Sequence, residues 1–408
     1  MEQEEAAARP SKKARGTAAS GLTAFGLRLA KHLADVAEGA DGVGRQNVVF
    51  SPLSIYAALA LLSAGACGTT LDELLTVLGA ASRDEIAEFV SAVVGRALAD
   101  CSESGAPLVA FACALWHEKT MALKPAYRTA AVESYKAETH AADFVDKPEA
   151  AREKINRWVS KATKDLITAI LPEGSVRSDT ALVLANAIYF KGSSSMPFDK
   201  EDTETRHFQR LDGSHVRTPF MRGRGDQAVA AEYDGFKVLK LAYHPYRLPH
   251  WQDKYGRGRN RNAKQQDGQG SDERSRFSMC VFVPDAHDGL PSLMDKMASC
   301  PSFLWDHMPS ERVMAMGIMA AFEEGTADLS DMLEGGAELV LEHVFHKAVI
   351  EVNEEGTEAA ASTACVVTLE CCCYPVDFVA DHPFAFFVVE EVSGVVVFMG
   401  HVLDPTKS

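Results

Sequence analysis

The pattern of apolar residues changes near the middle of the chain. From about residue 20 to about residue 175, apolar residues recur at helical spacing, as in SRDEIAEFVSAVVGRAL. The later part holds continuous β-branched and aromatic runs, among them ALVLANAIYFKG, FKVLKLAY, FSMCVFVPD, HPFAFFVVEE and VVVFMGHV. Such runs are typical of strands that are covered on both faces. The pattern therefore predicts an α+β protein.

Two helices stand out in the first part. SPLSIYAALALLSAGACG opens with Ser51 as an N-cap and Pro52 at the first helical position, and it is apolar nearly all round. We expect it to be a buried helix. KINRWVSKATKDLITAILPEG places its apolar residues on one stripe, so we expect a helix that lies on a flat apolar surface; the stripe consists of Ile155, Trp158, Val159, Ala162, Leu166 and Ile170.

Three segments lack either pattern. Residues 1–20 are Ala, Glu, Lys, Arg and Ser without an apolar period, which predicts a disordered tail before a domain at 21–408. Residues 247–276 are polar and Gly-rich and predict an inserted loop. The stretch EEGTEAAASTACVVTLECCCY, Glu354 to Tyr374, passes from charged to small residues and ends in three cysteines, although strand-like runs stand on both sides of it.

Composition narrows the function classes. The net charge of -16 argues against a nucleic-acid partner, because phosphate contacts need a basic face. The first residues are charged where a signal peptide needs an apolar run, and no apolar stretch is long enough to cross a membrane. The nine cysteines are odd in number and predict free thiols in a reducing compartment. We expect a cytoplasmic protein without a membrane partner, and the SKKAR run leaves a nuclear location as the alternative.

The sequence contains no familiar catalytic or cofactor motif. It lacks a phosphate-binding loop, a dinucleotide-binding glycine pattern, an HExxH helix and a GxSxG elbow. The thirteen histidines do not pair at metal-ligand spacing. Cys371, Cys372 and Cys373 are adjacent and would point to alternating sides, so they do not supply three corners of one zinc site. We expect no cofactor, no metal and no catalytic residue; a cysteine hydrolase with a distant histidine remains an alternative.

Several stretches together resemble one family, the serpins, and within it the plant type without a signal peptide. They are NVVFSPLSIYAALALLSAGA, NRWVSKAT, LVLANAIYFKG, IEVNEEGTEAAASTA and DFVADHPFAFFVVE, and they follow one another in the family's order. The resemblance runs from about residue 20 to the C-terminus. It implies one domain with about eight or nine helices around three β-sheets, and residues 356–380 as an exposed reactive-centre loop.

The resemblance also implies a mechanism. In this family the loop is bait for a target protease, and the inhibitor is an irreversible suicide substrate. After cleavage the hinge of the loop inserts into the main sheet; here the hinge matches Glu355, Gly356, Thr357, Glu358, Ala359, Ala360 and Ala361. Side chains of an inserted strand alternate between faces. Thr357, Ala359, Ala361 and Thr363 would point inward and are small, whereas Glu358 and Ser362 would point to the other face.

Counting along the loop as in family members puts the bait bond at Glu370-Cys371. A glutamate before the bond suits a protease pocket lined with basic residues. We therefore expect a serine protease of acidic specificity, with a caspase-like cysteine protease as the alternative target. The inhibitor itself is expected to be a monomer.

Two departures from the family pattern affect this expectation. Family members carry a tryptophan soon after FKG, where this chain has SSSM with Ser194 near the same place. We also expect a sheet strand of the family pattern to be missing near Val313, because ERVMAMGIMAAFEEGTADL runs directly from one family segment into a later one. The alternative function is thus a non-inhibitory binding protein with the serpin fold.

Overall fold

A computed structural model describes residues 12–39, 46–100, 102, 106–194, 198–224, 229–243, 276–300, 303–307, 344–350, 356–357, 364–368 and 378–407. The backbone alone is described for 12–20, 35–39, 224, 344–350, 356–357 and 364–368. Three sequence predictions lie outside the described residues: the inserted loop after residue 247, the bait bond and the missing strand near Val313.

Eight α-helices are found in the described residues: α1 (Lys12–Gly39), α2 (Pro52–Ser63), α3 (Gly68–Leu78), α4 (Arg83–Ala97), α5 (Pro125–Glu133), α6 (Pro148–Ala162), α7 (Leu290–Ser299) and α8 (Phe303–His307). Helix α1 begins inside the segment that was predicted to be a disordered tail. Its first turns contain Lys, Arg and Ala, which favour helix even without an apolar stripe. Among the described helices, none combines the length and the apolar character that a membrane span requires.

Fifteen strands are described: β1 (Val48–Phe50), β2 (Leu108–Glu118), β3 (Glu138–Ala142), β4 (Leu182–Ser193), β5 (Glu204–Gln209), β6 (His215–Arg224), β7 (Val229–Tyr233), β8 (Phe236–Ala242), β9 (Phe277–Pro284), β10 (Val344–Ile350), β11 (Gly356–Thr357), β12 (Ala364–Thr368), β13 (Phe378–Val379), β14 (Phe384–Glu390) and β15 (Val395–Val402). They form three sheets, as the resemblance to the family implied.

The three sheets differ in strand order. A six-stranded sheet runs β1-β15-β14-β9-β8-β7. The main sheet runs β10-β4-β2-β3, with β11 pairing to β4 in addition. The third, which we call the loop sheet, runs β13-β12-β6-β5. Segments on either side of the small-residue stretch therefore belong to different sheets.

Helix α2 is buried on nearly every side, as its all-round apolar sequence predicted. Its N-cap is Ser51, whose Oγ accepts the backbone N–H of Ser54 at 3.1 Å. The helix packs against β4 and β15, between the main sheet and the six-stranded sheet. It therefore supports one face of the main sheet.

Helix α6 covers the opposite face of the main sheet, as its apolar stripe predicted, but it is shorter than expected. It ends at Ala162, and Lys164 and Asp165 adopt positive φ angles of 54° and 63°. The Thr163 Oγ1 also accepts the N–H of Ile167 at 3.1 Å, which diverts the chain from the helix. Leu166 consequently lies outside the helix and is exposed.

Strand β4 is buried on both faces, as its continuous apolar run predicted. Its even-numbered side chains, including Leu184, Ile188 and Phe190, belong to the large core that contains α2. Its odd-numbered side chains, including Ala187 and Tyr189, face α6. Any strand that pairs with β4 must therefore meet a packed layer on each side.

Candidate functional site

The predicted hinge meets the main sheet at the end of β4. Gly356 pairs with Ser193 and Thr357 with Gly192, in antiparallel orientation. Strand β10 pairs with β4 in parallel orientation and its last pair is Ile350 with Phe190. The hinge thus contacts β4 directly beyond the point where β10 stops.

The two edges of β4 are occupied by different kinds of pairing. Strand β2 forms ten antiparallel residue pairs with β4, from Leu108–Lys191 to His117–Leu182. Strand β10 forms seven parallel pairs. Parallel pairing is slightly less stable per residue than antiparallel pairing. The β10 edge is therefore the weaker one, and it is also the strand from which the chain continues into the hinge.

A buried polar contact lies at the centre of the weaker edge. The hydroxyl of Ser54 on α2 hydrogen-bonds the side-chain oxygen of Asn186, and the Asn186 amide donates to the Ser54 carbonyl at 3.2 Å. Both residues are fully buried. Asn186 pairs in register with His346 of β10 and with Cys113 of β2. This contact fixes β4 to the helix beneath it, because a buried polar group is costly to leave without a partner.

Aromatic rings fill the space around the hinge contact. A Cβ added to Gly192 would lie 2.7 Å from the Tyr243 ring and 3.0 Å from the Phe190 ring, so this position requires glycine. The Phe190 ring packs edge-on against Tyr243 and Phe277 at centroid distances of 5.2 and 5.5 Å. Ser194, near the position where family members have tryptophan, forms a backbone bridge with Tyr243. Neighbouring aromatic residues thus occupy this region.

Part of the predicted exposed loop is a strand in this structure. Ala364–Thr368 forms β12, which runs parallel to β6 from Phe220 to Arg224. The same strand pairs antiparallel with β13 through Val366–Val379 and Val367–Phe378. The small and β-branched residues ACVVT suit a strand as well as a loop. This differs from the predicted fully exposed loop of residues 356–380, of which 358–363 and 369–377 lie outside the described residues.

The chain leaves the loop sheet through Asp381 and His382. The His382 Nδ1 lies 2.7 Å from the Asp381 Oδ1, and its Nε2 lies 2.6 Å from the Pro284 carbonyl oxygen. The hydrogen bond from His382, with the nearby charge of that ring and of His287, holds the pKa of the Asp381 carboxyl below its usual value. The backbone oxygen of Asp381 accepts the N–H of Gln209 at the end of β5, at 2.8 Å. These contacts anchor the C-terminal end of the predicted reactive loop.

Four cysteines have described side chains, and none of them forms a disulfide bond: Cys67, Cys113, Cys280 and Cys300. Burial raises the pKa of Cys113 and of Cys280 to about 12. A thiol with such a pKa is not a nucleophile at neutral pH, because the thiolate is the reactive form. These two cysteines are therefore unsuited to the cysteine-hydrolase alternative.

The structure places only part of the predicted site. Gly356 and Thr357 lie on β4, whereas the other predicted residues, Glu355, Glu358, Ala359, Ala360, Ala361, Glu370 and Cys371, lie outside the described residues. The sequence reasoning missed Ser54 and Asn186. One signal was present for the second, since Asn186 is a lone polar residue within the apolar run ALVLANAIYF.

The sequence profile of the family Serpin (serine protease inhibitor) matches residues 20–313 and 306–405. The two matched stretches meet around Val313, where the sequence pattern indicated a lost strand. The chain is 54% identical to Serpin-Z2A of Oryza sativa subsp. japonica over 419 aligned positions, which cover 95% of this chain and 97% of that one. An alignment longer than the 408-residue chain requires gaps, as a lost segment would produce.

A second relative and a solved structure agree with this match. Serpin-ZX of Arabidopsis thaliana is 38% identical over 93% of this chain and 96% of its own length. The structure of Arabidopsis AtSerpin1 in its native stressed conformation superimposes with a TM-score of 0.77 at 33% identity, covering 97% of this chain and 100% of that chain. Its partner, as for serpins generally, is a protease. The chain therefore belongs to the serpin family of protease inhibitors and is of the plant serpin-Z type.

Proposed function

We propose that this chain inhibits its protease as an irreversible suicide substrate, by insertion of the cleaved loop into the main sheet. The observation that carries the proposal is the antiparallel pairing of Gly356 and Thr357 with the end of β4. The hinge is already in register with the strand along which it would insert. The remaining steps extend this pairing along β4.

The register of that pairing sets which hinge side chains would face the core. Continued from Thr357–Gly192, it places Ala359 opposite Phe190 and Ala361 opposite Ile188. Both β4 residues point toward α2, so the small inward positions match the packed side of the sheet. Glu358 would lie opposite Lys191, which is only partly buried. Opposite charges on facing residues of paired strands are favourable.

Insertion requires that β10 move away from β4. The other edge of β4 is held by ten antiparallel pairs with β2, whereas β10 contributes seven parallel pairs. A new strand between β4 and β10 would run antiparallel to both and would replace the weaker ladder with two stronger ones. A dozen or so new hydrogen bonds at about 0.5–1.5 kcal/mol each give of order 10 kcal/mol.

The same loop residues must also leave the loop sheet. Strand β12 would have to detach from β6 and β13 before Ala364–Thr368 could continue the inserted strand. Cleavage at Glu370-Cys371 would remove the covalent link between β12 and β13. We therefore propose that the cut releases β12 and permits its transfer to the main sheet.

The target in this proposal is a protease with a basic specificity pocket, because the bait residue is Glu370. A serine protease of acidic specificity fits, and a caspase-like cysteine protease is the alternative. Dragging the acyl-enzyme across the inhibitor would distort its active site. Catalytic groups misplaced by about 1 Å can lose about 100-fold in rate, so a small distortion traps the complex.

The experiment mixes the full-length protein with a Glu-specific serine protease and a caspase-type protease, and follows the products on denaturing gels. A suicide inhibitor gives a covalent complex that survives boiling in detergent. Release of active protease with a cut loop would contradict the mechanism and favour the non-inhibitory alternative. Glu370→Arg should transfer the complex from these proteases to a trypsin-like one, which tests the assigned bait bond separately.

A pair of hinge variants tests insertion itself. Ala359→Arg would bury a charge beside Phe190, so we expect cleavage without a stable complex. Glu358→Arg adds the same side chain at the partly exposed position opposite Lys191, where the cost is about 0.2–1 kcal/mol, and most complex formation should remain. Equal behaviour of the two variants would contradict the register proposed above.

A further inference from the structure

Three side chains that can bind metal lie together where the chain leaves the loop sheet. His287 is in the turn between β9 and α7, and Asp381 and His382 are between β13 and β14. One ligand atom from each lies within 4.8 Å of the others. The two imidazole rings are 4.8 Å apart between centroids. The sequence separation of His287 from the other two explains why histidine spacing did not indicate this cluster.

The contacts of His382 leave one ring nitrogen directed at the cluster. Because a carbonyl oxygen only accepts hydrogen bonds, Nε2 at 2.6 Å from the Pro284 oxygen carries a hydrogen. Metal-binding histidines usually make this kind of bond through the nitrogen that does not bind the metal. Nδ1 then faces the Asp381 Oδ1 at 2.7 Å. A hydrogen bond joins these two atoms in the metal-free protein, and a metal ion would take the place of its proton, with Nδ1 and Oδ1 as ligands.

The cluster is accessible from one side and fixed on the other. The His382 side chain is only 7% exposed, whereas that of Asp381 is 45% exposed. His287 is exposed as well. A hydrated ion can thus approach through Asp381 and His287, while His382 is held in place from beneath. Because His287 is exposed, its ring can rotate toward the other two ligands.

We propose that His287, Asp381 and His382 form a binding site for a first-row transition-metal ion such as Zn²⁺. Two imidazole nitrogens and one carboxylate oxygen are a ligand set that Zn²⁺ and Co²⁺ accept, and water would complete a tetrahedron. Tetrahedral bonds of about 2.0–2.1 Å place ligand atoms ~3.3 Å apart. The His382 Nδ1 and the Asp381 Oδ1, now 2.7 Å apart, would therefore separate slightly, while the more widely spaced ligand atoms, within 4.8 Å of one another, would close in.

The site would link the six-stranded sheet to the loop sheet. His287 follows β9 of the six-stranded sheet, and Asp381 and His382 follow β13 of the loop sheet. The backbone of Asp381 is also bonded to Gln209 at the end of β5. A bound ion would therefore cross-link the C-terminal anchor of the reactive loop and stabilise the folded protein by mass action. This inference does not depend on the inhibitory mechanism.

The test titrates the full-length protein, free of any histidine tag, with Co²⁺ and records its visible absorption. We expect one equivalent to bind with the bands of a low-symmetry nitrogen and oxygen site. His287→Ala should weaken binding at least about tenfold, since even indirect partners of a metal site contribute about 10–100-fold. The matched control is His32→Ala, which removes an exposed histidine on α1. This variant should bind Co²⁺ as tightly as the unmodified protein does.

A thermal measurement gives a second readout. Added Zn²⁺ should raise the melting midpoint of the unmodified protein and of His32→Ala, and much less that of His287→Ala. His287 is exposed, so its replacement should not unfold the protein, and circular dichroism checks this. Equal Co²⁺ affinity in His287→Ala and the unmodified protein, or no binding by either, would overturn the proposal.

Discussion

The two edges of β4 differ in how firmly they are paired. One edge is a fixed part of the main sheet, and the other is where the proposed mechanism would separate β4 from β10. On one edge, β2 pairs along ten residues and continues the same antiparallel ladder from Lys191 to Leu182. On the other, β10 pairs in parallel along seven residues up to Phe190, and the hinge already pairs with Gly192 and Ser193. Both edges share the same packed faces, so the difference lies in the ladders. Under the proposed mechanism, the pairing geometry, more than the side chains, would direct insertion to the β10 side.

The largest expected effect comes from cutting the loop. If the hinge replaces the parallel ladder, the cleaved protein gains of order 10 kcal/mol. In a chain of this length that gain raises the melting midpoint by ~10 °C or more. Calorimetry of the intact and the loop-cleaved protein measures the shift. Ala359→Arg cleaved in the same way should show a smaller shift, and equal midpoints of the intact and cleaved unmodified protein would mean that the β10 edge does not open.

Phe190→Ala should have the next largest effect, because this residue serves both edges. It pairs with Val109 of β2 and with Ile350 of β10, and it is fully buried among aromatic rings. We expect the free energy of unfolding to fall by about 3–5 kcal/mol in urea denaturation. Val132→Ala, at a residue that is 57% exposed, should change it by less than about 0.5 kcal/mol. A small loss for Phe190→Ala would argue against a tightly packed platform beneath the hinge.

Ser54→Ala tests the polar contact under the weaker edge. It removes the hydroxyl that contacts Asn186 and leaves a buried amide without that partner. The expected loss is about 1–3 kcal/mol, measured in the same denaturation experiment. Ser299→Ala, at an exposed serine of α7, is the matched control and should stay within about 0.5 kcal/mol. Faster loop insertion in Ser54→Ala than in the control would place this contact on the path of sheet opening.

The smallest expected effect is on the pH dependence of stability, and it comes from a histidine on β2, the strand at the antiparallel edge of β4. Burial lowers the pKa of His117, on β2, below its ordinary value of 6.5. Between the lowered value and 6.5 the unfolded chain binds more protons, so stability falls as the pH decreases through this window. His117→Gln should reduce the slope of stability against pH, and the buried His401, whose pKa is also lowered, should account for part of the remainder. An unchanged slope would contradict the assignment to His117.

The parts of the fold that were predictable were those with continuous patterns. The apolar runs of α2 and β4 identified two elements that are buried on both sides, and the resemblance to the family implied where the hinge would meet the main sheet. The end of α6 was not predictable from its stripe, because the apolar period continues through Leu166 while the backbone turns at Lys164. The helical start of α1 was missed because it lacks an apolar stripe.

The parts of the site that were not predictable depend on contacts distant in sequence. His287 and His382 are brought together only by the turn after β9 and the segment before β14. The contact of Ser54 with Asn186 joins a helix cap region to the middle of a strand. The pairing of β12 with β6 is likewise a property of the assembled sheet. In each case the residue types were visible in the sequence, but their partners were not.

Strand β12 has a consequence for the timing of inhibition. Its five residues satisfy their backbone groups in the loop sheet, and under the proposed mechanism they would later do so in the main sheet. The two locations exclude each other, so every residue gained by one sheet is lost by the other. A ligand or mutation that strengthens the pairing with β6 would therefore delay the trap, giving a captured protease more time to complete its reaction and escape.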